Sequence, residues 1–153
     1  MRAMVTQDKI EREIVIDAPV NRVWSLVTEP GWWVGDGDRT GQRRRREGDL
    51  ELVDDPKFGT FPVRVESVEP QRYASYRWAS GFPGQTPAED NSTLVEFWLS
   101  ERDDGGTLLR VVESGFDSLA VTEEVRERSV EGNTEGWTGQ LNILKTLAER
   151  VNT

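Results

Sequence analysis

The hydrophobic period of the chain changes near its C-terminal end, and this change limits the folds open to it. From Thr122 onward the apolar residues Trp137, Leu141, Leu144, Ala148 and Val151 recur at intervals of four and three, the spacing of one helix face. Thr122 suits an N-cap, and Glu123 and Glu124 follow at the positive end of the helix dipole. The segment is long enough for a helix of some 30 residues, or ~45 Å at the standard rise. Before it, most apolar residues alternate at period two. One long helix beside a run of strands buries both apolar faces when the sheet curls around it.

The strands are read from parity. Ile10, Ile14 and Ile16 share one side of a strand over residues 10–17, with Glu11 and Glu13 on the other. Pro19 then opens a short amphipathic helix carrying Val20, Val23, Trp24 and Val27, and a second short helical turn is expected around Trp32 and Trp33. Further strands are predicted over residues 42–47, 49–53, 60–68, 73–79, 92–101 and 107–114, separated by turn-rich stretches. Asp103-Asp104-Gly105-Gly106 reads as a hairpin turn, and residues 81–91 as a long loop. The predicted class is α+β, with a curved antiparallel sheet wrapped around the C-terminal helix and two short helices after the first strand. One domain spans residues 10–151, and residues 1–9 are expected to be a flexible N-terminus.

Composition removes much chemistry. The 153 residues include no cysteine and no histidine, so disulfides, thiolate and imidazole metal sites, thiol nucleophiles and the usual general base are all excluded. A formal charge of −9 repels phosphate backbones, which argues against nucleic acid as a partner. No run approaches the ~20 apolar residues of a membrane span, and no signal-peptide core stands at the start, so a cytoplasmic protein without membrane insertion is expected.

Several short motifs, in this order and spacing, carry a resemblance: Ile16-Asp17-Ala18-Pro19-Val20, Val23-Trp24, Trp32-Trp33, Val68-Glu69-Pro70, Trp78, Gly106-Thr107, Glu113-Ser114-Gly115-Phe116, and Gly136-Trp137 with Leu141 and Leu144. Together they resemble the SRPBCC or START-like superfamily. Within it they are most similar to the group named after the activator of the heat-shock-protein ATPase, in its short single-domain bacterial form. The resemblance implies a helix-grip fold whose sheet and last helix enclose a hydrophobic cavity, used elsewhere in the superfamily for lipids, sterols, polyketides or plant aromatics. The resemblance also implies a stress-response role, while eukaryotic co-chaperones of the group carry an additional N-terminal domain that is not expected here, which weakens a direct transfer of chaperone activation. Many relatives have histidine where this chain has Glu113, so any role tied to that imidazole lacks its group here.

The expected ligand-binding residues are Trp33, Phe61, Val63, Tyr76, Trp78, Phe97, Leu109, Glu113, Gly136, Trp137 and Leu141. The aromatic members face inward by parity, as core residues also do, and Tyr76 adds a polar handle. Gly132, Gly136 and Gly139 share a helix face near Trp137, and each costs ~1 kcal/mol relative to Ala, so they mark either room for a ligand or a close backbone approach, or else a kink or a poorly optimised helix. Glu113 lies on the apolar face of a central strand. It either orients a ligand hydroxyl or amine or acts as a lone general acid or base, or else it pairs with Arg12 or sits at the strand's wet end.

Two other patterns are weaker. Asp36, Asp38, Thr40, Gly41 and Glu47 match calcium-loop positions, but the next segment reads as strand and Arg43 to Arg46 would crowd the ion. Those arginines alternate across a strand, where adjacent Asp and Glu are their expected partners.

Three functions remain open. The first is non-enzymatic binding of a small hydrophobic molecule of lipid, polyketide or aromatic type, with no catalytic residue, metal or cofactor. The second is a protein-interaction module, such as a chaperone ATPase regulator. The third is a cyclase- or dehydratase-like enzyme using Tyr76 and Glu113, the reading least favoured by the absence of His and Cys.

Overall fold

The computed structural model describes residues 9–35, 39–79, 84–88 and 91–150. Seven strands form one sheet: β1 (Lys9–Ile16), β2 (Arg43–Glu47), β3 (Leu50–Asp55), β4 (Gly59–Glu69), β5 (Tyr73–Trp78), β6 (Thr93–Glu101) and β7 (Thr107–Ser114). Their spatial order is β1-β7-β6-β5-β4-β3-β2 and every pairing is antiparallel. Strands β2 to β7 therefore form a meander, with β1 on its far edge beside β7. Helix α1 (Val20–Val27) follows β1, and helix α2 (Glu123–Arg150) closes the chain.

Parity along each strand fixes what faces α2. Phe61 and Val63 of β4, Ala74, Tyr76 and Trp78 of β5, Val95 and Phe97 of β6, and Leu109, Val111 and Glu113 of β7 are all buried. From α2, Val130, Trp137, Gln140, Leu141, Leu144 and Ala148 are buried against them. Burial is dense in the second half of the helix and sparse in the first. Thr122 caps the helix as its sequence suggests, its hydroxyl accepting the Val125 N–H at 3.2 Å.

Three local features depart from the sequence reading. No second helix follows α1 among the described residues. Instead, Trp32 N–H donates to Glu29 O and Val34 N–H to Gly31 O, giving two consecutive turns. Pro30 has no N–H to extend a helix, and Gly31 sits at φ +73°, which reverses the chain. A 3₁₀ turn at Phe116–Ser118, entered through Gly115 at φ +96°, had no periodic signal to announce it. Strand β4 carries a bulge between Val65 and Ser67.

The Gly31 turn delivers Trp32 and Trp33 to the core, where both are buried. It is tied down by Gln42 Nε2 donating to Val34 O at 3.1 Å and by Gln140 Nε2 of α2 donating to Gly35 O at 2.9 Å. A Cβ at Gly31 would meet Val53 Cγ2 at 2.5 Å in a backbone conformation that L side chains avoid. Gly31→Ala should therefore lose roughly 2–4 kcal/mol of stability, combining left-handed strain with overpacking. Urea denaturation measures this, and a loss below ~1 kcal/mol would mean that the turn relaxes freely.

Candidate functional site

Glu113 is completely buried, and its carboxylate accepts four hydrogen bonds. Trp78 Nε1 and Thr93 Oγ1 donate to one oxygen at 2.9 and 2.5 Å. Trp137 Nε1 and Asn133 Nδ2 donate to the other at 2.9 and 3.1 Å. Three of these donors can never accept, and none carries a charge. The alternative of an Arg12 partner fails, because Arg12 is exposed and its guanidinium donates to Glu11 O. Burial pushes the Glu113 carboxyl above its usual value of 4.5, and the bonds from Thr93, Trp137, Trp78 and Asn133 pull back only part of that rise.

Over this carboxylate lies a cavity of ≈ 250 Å³, opening between the sheet and the first half of α2. Trp33, Phe58, Phe61 and Trp78 wall one side. Gly132, Asn133, Gly136, Trp137 and Gln140 of α2 form the other, and Gly35 lies at the rim. Trp33 and Trp78 meet at 90° with centroids 5.8 Å apart and form a corner, and Trp137 lies 5.8 Å from Trp33. A Cβ at Gly132 or Gly136 would meet nothing within 4 Å. The missing side chains are thus open space and not a site of close backbone approach. None of the described lining residues is charged.

Residues 17–149 match the family described as Activator of Hsp90 ATPase homolog 1-like protein. The chain belongs to this family. Among solved structures, a protein from Mesorhizobium loti, MLL2253, superposes with a TM-score of 0.68 at 24% identity, covering 93% of this chain and 97% of its own. The Aha1 dimer from Colwellia psychrerythraea gives 0.65 at 18% identity, with 95% and 97% covered. DynU16, from the dynemicin biosynthetic locus, gives 0.65 at 23% identity over 92% of this chain but 46% of its own. No curated protein matches the sequence. At these identities the likeness is one of fold alone.

Within this family member, five of the residues expected at the site come together around the cavity: Trp33, Phe61, Trp78, Gly136 and Trp137. Glu113 sits behind them. Val63, Tyr76, Phe97, Leu109 and Leu141 are buried in the core and do not line it. The Tyr76 hydroxyl donates to Val27 O at 3.4 Å, and burial raises its pKa, so it provides no polar handle to the cavity. Asn133 and Gln140 were overlooked, although their positions four before and three after Trp137 place them on its helix face. Phe58, in a turn, gave no periodic signal.

The remaining patterns lie elsewhere. A larger concavity of ≈ 780 Å³ occupies the opposite face of the sheet, lined by Arg64, Glu66, Arg77, Leu94, Ser114 and others. Arg45 pairs with Asp54 at 2.9 Å and Arg46 with Glu51 at 3.5 Å, the cross-strand partners expected of that run. Asp36 and Asp38 lie outside the described residues, while Glu47 is in β2 and pairs with Arg45.

The Glu113 environment sets a pH signature. Because the folded carboxyl holds its proton more tightly than the unfolded chain does, the native state binds more protons just above the ordinary glutamate range. Stability contributed by this group is then full below that range and falls as pH rises through the folded value. Glu11, Asp54 and Glu149, held low by hydrogen bonds from Arg110, Arg45 and Lys145, act in the opposite sense, and their contribution is lost toward acid. The stability difference between wild type and Glu113→Gln should shrink or reverse between about pH 5 and about pH 8. A difference flat across that window, by chemical denaturation, would contradict a raised carboxyl.

Proposed function

We propose that this chain binds a small, flat, largely apolar molecule in the cavity between Trp33, Phe61 and Trp78 of the sheet side and Gly132, Gly136 and Trp137 of α2. The observation that carries the reading is the pair of helical glycines. Each weakens the helix by ~1 kcal/mol relative to Ala, and a side chain at either would project into unfilled space beside five aromatic side chains.

Size narrows the ligand. Cavities that hold drug-sized molecules start near ~300 Å³, and this one, at ≈ 250 Å³, falls just short. One or two fused rings fit better than a sterol or a long acyl chain. The polar groups at the wall are already engaged, Asn133 with Glu113 and Gln140 with Gly35 O, so recognition rests on shape and ring contact. Binding in a site open on one side requires no membrane. No described helix is long and apolar enough to cross one.

Native mass spectrometry of the purified chain tests for a retained small molecule, and titration with 2-naphthol, followed by its fluorescence, tests the cavity directly. Gly136→Leu should fold with unchanged or slightly higher stability, up to ~1 kcal/mol from helix propensity, and should weaken 2-naphthol binding at least tenfold. Gly139→Ala is the control, since its Cβ also meets nothing within 4 Å yet Gly139 does not line the cavity. A folded Gly136→Leu protein with wild-type affinity would sink the proposal.

A further inference from the structure

We propose that the cavity selects a positively charged aromatic molecule, an organic cation whose charge is delocalised or shielded by carbon, over its neutral or anionic analogues. This inference rests on the reading of the cavity as a binding site and goes beyond it by assigning the ligand's charge.

The charge balance around Glu113 motivates it. Among the described residues the carboxylate has no cationic partner, and its four hydrogen bonds come from neutral groups. A buried carboxylate ordinarily pairs with a cation or gives up its charge. Here no Arg or Lys among the described residues bonds to it. The site instead supplies three obligate donors, which oppose without cancelling the cost that burial puts on the charge, so a cation bound nearby supplies the compensation that the protein does not and favours the ionised form.

The uncompensated charge is felt in the cavity because the same side chains serve both. Trp78, Asn133 and Trp137 donate to Glu113 and also line the open space, so the carboxylate lies one side chain behind the wall. An indole whose N–H is bonded to an anion is polarised toward its ring, and the ring faces of Trp and Phe already attract cations through their quadrupole. Two such indoles, with Trp33 and Phe61, surround a space that no charged side chain among the described residues lines. A cation placed there is stabilised by the rings and by Glu113 through a low-dielectric path, and it relieves the cost of keeping that carboxylate ionised. An anion would meet the same field with the opposite sign.

The test uses three ligands of nearly the same shape: N-methylquinolinium, the isosteric neutral 1-methylnaphthalene, and 1-naphthoate. The expected order of affinity for the wild-type chain is cation over neutral by at least tenfold, with the anion weakest. The ratio of cation to neutral affinity should collapse toward one in Glu113→Gln. Since that variant risks unfolding, the salt dependence is a second measurement. A preference set by a buried charge survives about 0.5 M salt, whereas one set by the overall surface charge is screened away. A neutral ligand that binds as tightly as the cation overturns this inference and leaves the binding site standing. A preference that disappears with salt, or persists in a folded Glu113→Gln protein, overturns the assignment to Glu113. Failure of both the cation and the neutral ligand to bind overturns the inference and the proposed function together.

Discussion

The carboxylate of Glu113 joins more of the structure than any other polar group described. Its two oxygens collect donors from β5, β6 and two successive turns of α2, while the residue itself belongs to β7. Burying such a group is expensive, and an apolar replacement of similar volume often serves stability as well or better. What the carboxylate adds is registration. Leu141, Leu144 and Ala148 would tolerate a small slide or rotation of α2 over an apolar sheet. Asn133 and Trp137 both bonded to one oxygen would not.

That registration decides where the cavity lies. Beyond Trp137 the helix is packed, with Gln140, Leu141, Leu144 and Ala148 buried in succession. Before it, Gly132 and Gly136 leave the face bare. Trp137 marks the boundary: its indole nitrogen closes on Glu113 and its ring packs on Trp32, Trp33 and Phe97. Trp32 and Trp33 reach it only because Gly31 turns the chain sharply after α1, and each indole nitrogen there is buried without an acceptor among the described residues. Leaving a donor unpaired costs about 1–3 kcal/mol, so ring contacts, and not hydrogen bonds of the indoles, hold these two side chains in the core, while Gln42 and Gln140 tie down the backbone of the turn.

How much of this was readable follows from the range of each signal. Strand parity and helix period are local, so β7 was placed to the residue and α2 to within one at its start. The glycines on the Trp137 face were visible as a cost without a local reason. Glu113 stood out by parity, but its four donors are twenty or more positions away in sequence, and no local rule brings them together. The expected second helix failed at Gly31, where a positive φ overrode a helical pattern two tryptophans long. Tyr76 was assigned to the cavity by the same parity that places Trp78 there. Parity separates inside from outside, but it cannot divide the inside into core and cavity wall.

The distinction between core and wall also bears on what the site can do. The two groups best suited to acid or base chemistry, Glu113 and Tyr76, are both buried below the cavity surface, one held by four donors and the other by Val27 O. A proton on either would have to pass a tryptophan or a packed strand to reach a ligand, whereas a general acid or base acts within hydrogen-bond reach of its substrate. An electric field is under no such restriction. In the proposed binding mode Glu113 would act on a ring through its charge, from behind a wall of tryptophans that keeps it out of hydrogen-bond reach.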